Sequence, residues 1–245
     1  MVEIVGILNI TPDSFSDGGK YLSLKSAISQ TQKLLQDGAD IIDIGAESTR
    51  PGAQILSDQD EWQRLEKILP QIIAEVKNFN QKEGKNIQTS IDSYHFSTIK
   101  KAYELGIDII NDISGLVNKN IVKFIAKNNI TTILMHNLAI HANPNLVINK
   151  HLDINREIIK WAEEKISNIT QFGVKKEQLI FDPGIGFSKN ADQSVQILKN
   201  IDTYQALNLP IYIGHSMKSF LDIVNIEGSR EQKTIKISQF LAKNK

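Results

Sequence analysis

The sequence contains no cysteine, which excludes disulfides, thiolate nucleophiles and cysteine-based metal sites together. Aromatic residues make up only 7% of its 245 residues, and no apolar run approaches the roughly 20 residues that a membrane-spanning helix needs. Net charge is also absent, because 28 basic residues balance 28 acidic ones. We therefore expect no nucleic-acid and no membrane partner, and a cytoplasmic location.

What the sequence does contain is a regular alternation of short apolar runs with longer segments of helical period. The runs predict strands at 4–9, 40–45, 87–92, 108–113, 130–136, 178–183 and 210–215. Near-continuous apolar strands alternating with amphipathic helices indicate an α/β fold whose parallel sheet is covered on both faces. No linker or low-complexity segment divides the chain, so we expect one domain over 1–245.

Helices are predicted between these strands. One is expected to end at Gly38, and another begins at Ser57 and carries an apolar stripe from Trp62 to Phe79. The later helices are expected at about 95–105, 118–128, 152–172, 190–206 and 229–243.

Every predicted strand ends at polar side chains, namely Asn9, Asp43 with Glu47, Asp92, Asn111 with Asp112, His136, Asp182, and His215 with Lys218. In a TIM (β/α)8 barrel the carboxyl ends of the strands converge on one mouth, where active sites lie. A doubly wound sheet would spread them along an edge instead. We therefore predict a barrel with one polar site at its mouth.

Seven longer motifs follow one another along the chain: NITPDSFSDGG (9–19), GAESTRPGA (45–53), SIDSYH (90–95), INDISG (110–115), LMH (134–136), FDPGIGFSKN (181–190) and GHSMKSF (214–220). Together they resemble the dihydropteroate synthase family. The resemblance runs from about residue 2 to about residue 230 and is weakest across 137–170. It implies a (β/α)8 barrel of folate biosynthesis, assisted by Mg²⁺ and homodimeric. Such an enzyme joins 6-hydroxymethyl-7,8-dihydropterin pyrophosphate to 4-aminobenzoate and releases pyrophosphate and 7,8-dihydropteroate.

The resemblance assigns the pterin ring to residues of suitable chemistry. A carboxylate accepts both protons of the amidine-like pterin edge, and Asp182 stands at the matching position. Asn111 offers a donor and an acceptor for the mixed part of the edge, and Asp92 supplies a third contact. Lys218 provides a cation for the carbonyl side. The apolar walls are assigned to Ile113, Met135 and Phe187, although plain barrel core explains these three nearly as well.

The same resemblance assigns the leaving group and the nucleophile. Asn9, Thr49 and Arg50 would bind the pyrophosphate, with Asn9 also as the Mg²⁺ ligand. The 4-aminobenzoate would contact Phe15 and Pro51 from the first two loops and the serines of the last motif, Ser216 and Ser219.

Two aspartates of the first loop, Asp13 and Asp17, resemble loop organisers, one of which assists at the reacting amine. Asn9, Asp13 and Lys218 are the predicted catalytic residues. A carbon–oxygen bond to a good leaving group needs no protein nucleophile, in keeping with the absence of cysteine.

The chain departs from the family pattern in two places. Met217 stands where the family has arginine, and the family's eighth strand with its Arg-x-His motif is missing before Lys245. We therefore expect the barrel to lack its eighth strand and helix, to expose strand edges and to catalyse weakly. Two alternatives remain: a pterin-binding protein without catalysis, and a folate-binding methyltransferase barrel, which has no need of the TPDSFSDGG or STRPG motifs.

Overall fold

The structure, a computed structural model, describes residues 2–11, 24–48, 53, 55–140 and 146–243. Six strands form one sheet in chain order: β1 Val5–Asn9, β2 Ile41–Gly45, β3 Gln88–Asp92, β4 Ile109–Asp112, β5 Thr131–Met135 and β6 Leu179–Asp182. The first four pair in parallel. The prediction of an α/β fold with a parallel sheet is confirmed, and these are six of the eight strands of a full (β/α)8 barrel.

The predicted strand at 210–215 is wrong. Only one parallel bridge, between Phe181 and Ile211, forms there. Pro210 has no N–H to donate to the ladder, and Gly214 has no side chain to pack, so both flanks of the bridge favour a strand poorly. The part of the chain that the structure describes contains no eighth strand.

The described residues form eight α-helices that separate or follow these strands: α1 Leu24–Gln36, α2 Asp58–Leu65, α3 Leu69–Glu83, α4 Phe96–Leu105, α5 Lys119–Asn128, α6 Ile154–Thr170, α7 Ala191–Lys199 and α8 Arg230–Lys243. The single helix predicted from Ser57 through Phe79 is wrong, because the chain breaks it at residues 66–68. Pro70 stands in the first turn of α3, where its missing N–H costs nothing, whereas inside one long helix it would remove a hydrogen bond.

The predicted 190–206 helix is also shorter than expected: α7 ends at Lys199, and a 3-10 helix covers Ile201–Leu207. None of the helices formed by the described residues is both long enough and apolar enough to cross a membrane.

The described residues fall into two compact units. The first holds the chain up to Asp112, with Asn118–Ile121 and Ile130–Thr132, and its core includes Ile42, Ile44 and Leu65. The second holds Ile113–Val117, Val122–Asn129 and the chain from Ile133 onward, and its core includes Phe181, Tyr204 and Ile158. The expectation of a single domain stays a prediction.

Candidate active site

In the first unit, one row of residues crosses the carboxyl ends of the strands. Asn9 pairs in register with Gly45, Gly45 with Asp92, and Asp92 with Asn111. A side chain at Gly45 would lie 3.4 Å from Asp92 Oδ2, so glycine leaves that space to the carboxylate. Three of the predicted site residues therefore share one level of the sheet, as the strand-end pattern indicates.

Asn111 is fixed from one side. Its Nδ2 donates to Asp43 Oδ2 over 2.9 Å, and both side chains are buried. Burial raises the pKa of Asp43, while the nearby Ser90 hydroxyl and the Asn111 amide act in the opposite direction. This hydrogen bond uses one of the two N–H groups of the Asn111 amide and fixes the orientation of the side chain. Asp43 is a supporting residue that the strand-end pattern included but to which no role was assigned.

Asp92 lies near several other carboxyl groups, which carry the same charge when ionised. Burial raises its pKa well above the ordinary value, and the carboxyl groups of Asp43, Glu61, Asp112 and Glu47 raise the pKa further. A carboxyl group in this setting takes up a proton, or binds a partner that donates hydrogen bonds, at lower free-energy cost than an exposed one does. The environment suits a group that accepts from ring N–H and amine donors.

In the second unit, a tight turn follows β6 and orients Asp182. The Gly184 N–H donates to Asp182 Oδ1 over 2.7 Å, and the His136 N–H donates to the Asp182 carbonyl over 2.8 Å. Gly184 has a φ of 69°, and a Cβ there would lie only 2.0 Å from the His136 carbonyl oxygen. Only glycine fits that position, and the turn holds the buried Asp182 carboxylate in one orientation.

Lys218 reaches the same region of the second unit. Its Nζ donates to the Ile185 carbonyl and lies 4.8 Å from the centre of the Phe187 ring. A Cβ added to Gly214 would lie 3.9 Å from Asp182 Oδ2 and 3.9 Å from Lys218 Nζ. The absence of a side chain at residue 214 therefore leaves a small space bordered by one carboxylate and one ammonium group.

The three apolar residues predicted for the ring faces belong to the same unit. Ile113, Met135 and Phe187 are all buried within the second unit. The Phe187 ring under the Lys218 ammonium group favours the cation there through the ring's negative face. The carboxylate of Asp182, the ammonium group of Lys218 and the Phe187 ring are groups that suit a flat heteroaromatic ring with a donor edge and a carbonyl.

Comparison with known proteins identifies the family. The sequence pattern of the pterin-binding enzymes matches residues 5–244. The dihydropteroate synthase of Clostridium beijerinckii is 38% identical over 221 residues, which are 90% of this chain and 76% of that protein. This chain belongs to the dihydropteroate synthase family of pterin-binding enzymes.

Solved synthase structures agree with this assignment. The synthase from Anaplasma phagocytophilum, with bound 6-hydroxymethylpterin-monophosphate, superimposes with a TM-score of 0.87 at 37% identity and covers 98% of this chain and 89% of that one. The Xanthomonas albilineans synthase with 4-aminobenzoic acid reaches a TM-score of 0.84 at 27% identity, over 98% and 84% of the two chains.

One buried pair of this family member was not predicted from sequence. Lys189 Nζ lies 2.8 Å from His136 Nδ1 and donates to the Phe187 carbonyl over 2.8 Å. Burial lowers the pKa of Lys189 well below its usual value, with Lys218 acting in the same direction and Asp182 against it. Burial and Lys189 together lower the pKa of His136 to about 2, so its imidazole is neutral. The pair fixes the turn that carries Phe187.

Two of the residues predicted to contact 4-aminobenzoate lie within the described part of the chain. Ser216 and Ser219 are exposed in the second unit, on either side of Met217 and Lys218. Met217, which replaces the family arginine, is 52% exposed and has a φ of 58°. The remaining predictions, on Asp13, Phe15, Asp17, Thr49, Arg50 and Pro51, lie outside the described residues.

Proposed function

We propose that this chain acts as a dihydropteroate synthase, joining 6-hydroxymethyl-7,8-dihydropterin pyrophosphate to 4-aminobenzoate with release of pyrophosphate and 7,8-dihydropteroate. The family match over almost the whole chain supports the reaction. The observation that carries the substrate class is the buried Asp182 carboxylate beside the Lys218 ammonium group at Gly214. Neither a methyltransferase nor an inactive binding protein draws support from the relatives described above, which are synthases.

Asp182 would anchor the pterin. The turn at Gly184 holds its carboxylate through a backbone hydrogen bond of 2.7 Å, so little side-chain entropy is lost when a ligand binds. The pterin's exocyclic amine and ring N–H form a parallel pair of donors that one carboxylate can accept. Lys218 would then interact with the ring carbonyl, and Phe187, Met135 and Ile113 would contact the ring faces.

Asp92 and Asn111 are assigned to the pterin on the family resemblance alone, and the first unit supplies support for their chemistry. Asn111 donates one of its two amide N–H groups to Asp43 over 2.9 Å, and its amide carries the further donor and the acceptor that the mixed part of the pterin edge requires. The raised pKa of Asp92 makes it a group that gains from donors.

The reaction requires no covalent bond between a substrate and the protein. The amine of 4-aminobenzoate attacks the methylene carbon of the pterin, the carbon–oxygen bond to pyrophosphate breaks, and the amine loses a proton. Positioning of the two substrates and stabilisation of the departing charge would supply most of the rate. Lys218 is the described cation that we assign to this work.

We also propose Mg²⁺ as the cofactor, held by Asn9. The Asn9 side chain is exposed at the end of β1 and offers one amide oxygen. That donor fits Mg²⁺, which takes oxygen ligands and usually binds through substrate phosphates, waters and one or two protein groups. When bound, the ion would neutralise charge on the leaving pyrophosphate.

The remaining assignments also rest on the family resemblance. Thr49 and Arg50 are proposed for the pyrophosphate, and Asp13 for the reacting amine. The proposed contacts of 4-aminobenzoate are Phe15, Pro51, Ser216 and Ser219. A homodimer and a cytoplasmic location belong to the same proposal.

The test is a coupled assay of pyrophosphate release from the pterin pyrophosphate with Mg²⁺, run with and without 4-aminobenzoate. A synthase releases pyrophosphate only when 4-aminobenzoate is present. Release that ignores 4-aminobenzoate, or no release from a protein that still binds pterin, would contradict the proposal.

Calorimetry tests the pterin anchor separately. Asp182→Asn replaces one of two acceptors by a donor, and a buried unpaired group costs about 1–3 kcal/mol, so pterin affinity should fall by about 10- to 100-fold. Asp202→Asn is the matched control, because Asp202 is exposed in the same unit. Equal affinities of the two variants would show that Asp182 does not bind the ring.

A further inference from the structure

Three side chains of the first unit that the proposed function does not use come together: Glu47, Glu61 and His95. We call them the Glu47–Glu61–His95 cluster. Glu47 follows β2 by two residues, Glu61 lies in α2, and His95 directly precedes α4. One carboxylate oxygen of each glutamate and one ring nitrogen of the histidine all lie within 4.8 Å of one another. Three separate segments of the chain therefore supply potential metal ligands to one point.

Two polar atoms of the cluster are buried without a hydrogen-bond partner. Among the described residues, neither Glu61 Oε1 nor His95 Nε2 has a hydrogen bond. Glu61 is 0% exposed, so water does not reach its side chain from outside. The Thr98 hydroxyl is near enough to lower the pKa of Glu61 against the effect of burial, yet it does not meet hydrogen-bond geometry. A buried carboxylate oxygen and a buried imidazole nitrogen in one cluster point to a shared cation.

The distance between the Glu47 and His95 ligand atoms fits a small four-coordinate ion. Zinc binds carboxylate oxygen and imidazole nitrogen at about 2.0–2.2 Å, so two ligands of a tetrahedral site lie roughly 3.3 Å apart. Glu47 Oε2 and His95 Nε2 are separated by 3.6 Å, which is close to that value. Two ligand atoms separated by the full 4.8 Å would have to approach each other by about 1.5 Å, which side-chain rotation can provide.

The ligand types select the class of ion. An imidazole nitrogen suits zinc and other first-row transition metals, whereas Mg²⁺ and Ca²⁺ prefer oxygen ligands alone. Two carboxylates also balance the charge of a divalent ion. The same carboxylates add to the negative field at Asp92, and a bound cation would offset that field.

Surrounding hydroxyl groups already orient the two glutamates. The Tyr94 hydroxyl lies 3.0 Å from both carboxylate oxygens of Glu47, and the Ser93 hydroxyl donates to Glu61 Oε2 over 2.8 Å. Burial raises the pKa of Tyr94, so its phenol stays protonated and remains a donor. Such outer partners fix ligand orientation in known metal sites, and their loss weakens binding by about 10- to 100-fold.

We propose that Glu47, Glu61 and His95 bind a divalent transition-metal ion, and that Zn²⁺ fits this ligand set best. The ion would tie the segment after β2 to α2 and to the start of α4. The site is distinct from the Mg²⁺ proposed at Asn9, because it uses a nitrogen ligand and no substrate oxygen.

The test is a calorimetric titration of the metal-stripped whole chain with zinc chloride, without pterin or pyrophosphate. One equivalent should bind with a dissociation constant in the micromolar range or tighter. His95→Gln and Glu61→Gln should each weaken binding at least tenfold, and Tyr94→Phe about tenfold. His151→Gln is the matched control and should bind as the wild type does, because His151 is exposed and outside the cluster.

A second measurement uses the wild-type chain alone, so it does not depend on how the variants fold. Co²⁺ added to the stripped protein should give the intense visible absorption of a four-coordinate ion, and one equivalent of Zn²⁺ should remove it. Absence of stoichiometric Zn²⁺ binding, or wild-type affinity in His95→Gln, would overturn the proposal.

Discussion

At the scale of single residues, Gly184 is the described glycine at which an added Cβ would make the shortest contact. A Cβ there would lie 2.0 Å from the His136 carbonyl oxygen, and the backbone has a φ of 69°. Gly184→Ala combines a left-handed strain of about 1–3 kcal/mol with a clash against backbone that cannot rotate away. We expect the free energy of unfolding, measured in urea, to fall by about 3 kcal/mol.

Gly84→Ala separates these two effects. Gly84 has a φ of 63°, but nothing lies within 4 Å of the Cβ it would gain. This control should therefore show the backbone strain alone, about 1 kcal/mol. If both variants lose the same stability, the close approach to His136 does not constrain the turn.

Asp92 illustrates the opposite case, a residue whose charge destabilises the fold. Its folded pKa is raised above the ordinary 3.8, so its stabilising contribution is complete below the unfolded pKa and is lost as the pH rises through the folded one. Above the unfolded pKa, Asp92 therefore destabilises the fold increasingly as the pH rises, until the folded pKa is passed. Asp92→Asn should therefore raise the free energy of unfolding at neutral pH, and this gain should shrink as the pH falls toward the ordinary pKa of an aspartate.

The same substitution should weaken pterin binding if the assignment of Asp92 is right. Denaturation curves at several pH values test the stability claim, with Asp37→Asn as the control, because Asp37 is exposed in the same unit. A gain that does not change with pH would mean that the like charges around Asp92 are not its cause.

At the scale of secondary-structure elements, the start of α7 holds the turn that carries Phe187 and Lys189. Asn190 Oδ1 accepts from the Gln193 N–H over 2.8 Å, and Gln193 Oε1 accepts from the Asn190 N–H over 3.0 Å. Asn190→Ala removes one of these bonds and should lower the free energy of unfolding by about 1–2 kcal/mol.

Thermal or urea unfolding measures the loss. Asn168→Ala is the matched control, because Asn168 is exposed within α6 and alanine favours a helix interior. The control should be neutral or slightly stabilising. An equal loss in the two variants would show that the effect comes from the changed side chain in general and not from the cap.

The elements also show how far the sequence can predict this structure. Six strands lie within two residues of their predicted bounds. Buried parallel strands have a strong apolar pattern that is visible in the local sequence alone. The break between α2 and α3 was missed, since the apolar stripe continues across it while Pro70 restarts the helix. The 210–215 run has strand composition, but pairing partners decide whether a strand forms.

For the site, sequence reasoning succeeds where position along a strand determines placement. Asn9, Asp92 and Asn111 were predicted at strand ends and lie in one register row. The Lys189–His136 contact joins residues 53 positions apart, and nothing in the local sequence marks this lysine as buried. The Glu47–Glu61–His95 cluster was missed for the same reason, because three separate segments form it.

At the scale of the whole molecule, β1 is an edge strand of the sheet that the described residues form. It pairs only with β2 among the described strands, and Ile7 in its middle is 46% exposed. An apolar edge strand offers unpaired N–H and C=O groups to another chain. The balanced charge, with an isoelectric point of about 7.0, leaves little electrostatic repulsion at neutral pH to oppose that contact.

We therefore expect concentration-dependent self-association at pH 7 that Ile7→Lys suppresses, measured by light scattering or sedimentation velocity. Lysine on an edge strand blocks edge-to-edge pairing, because a second strand would have to bury its charge. Ile235→Lys adds the same charge at a residue that is 52% exposed on α8, away from any strand. If the β1 edge causes the association, only Ile7→Lys should reduce it. Equal reductions by both variants would instead assign the effect to net charge, and no reduction by either would mean that β1 does not pair with a second chain.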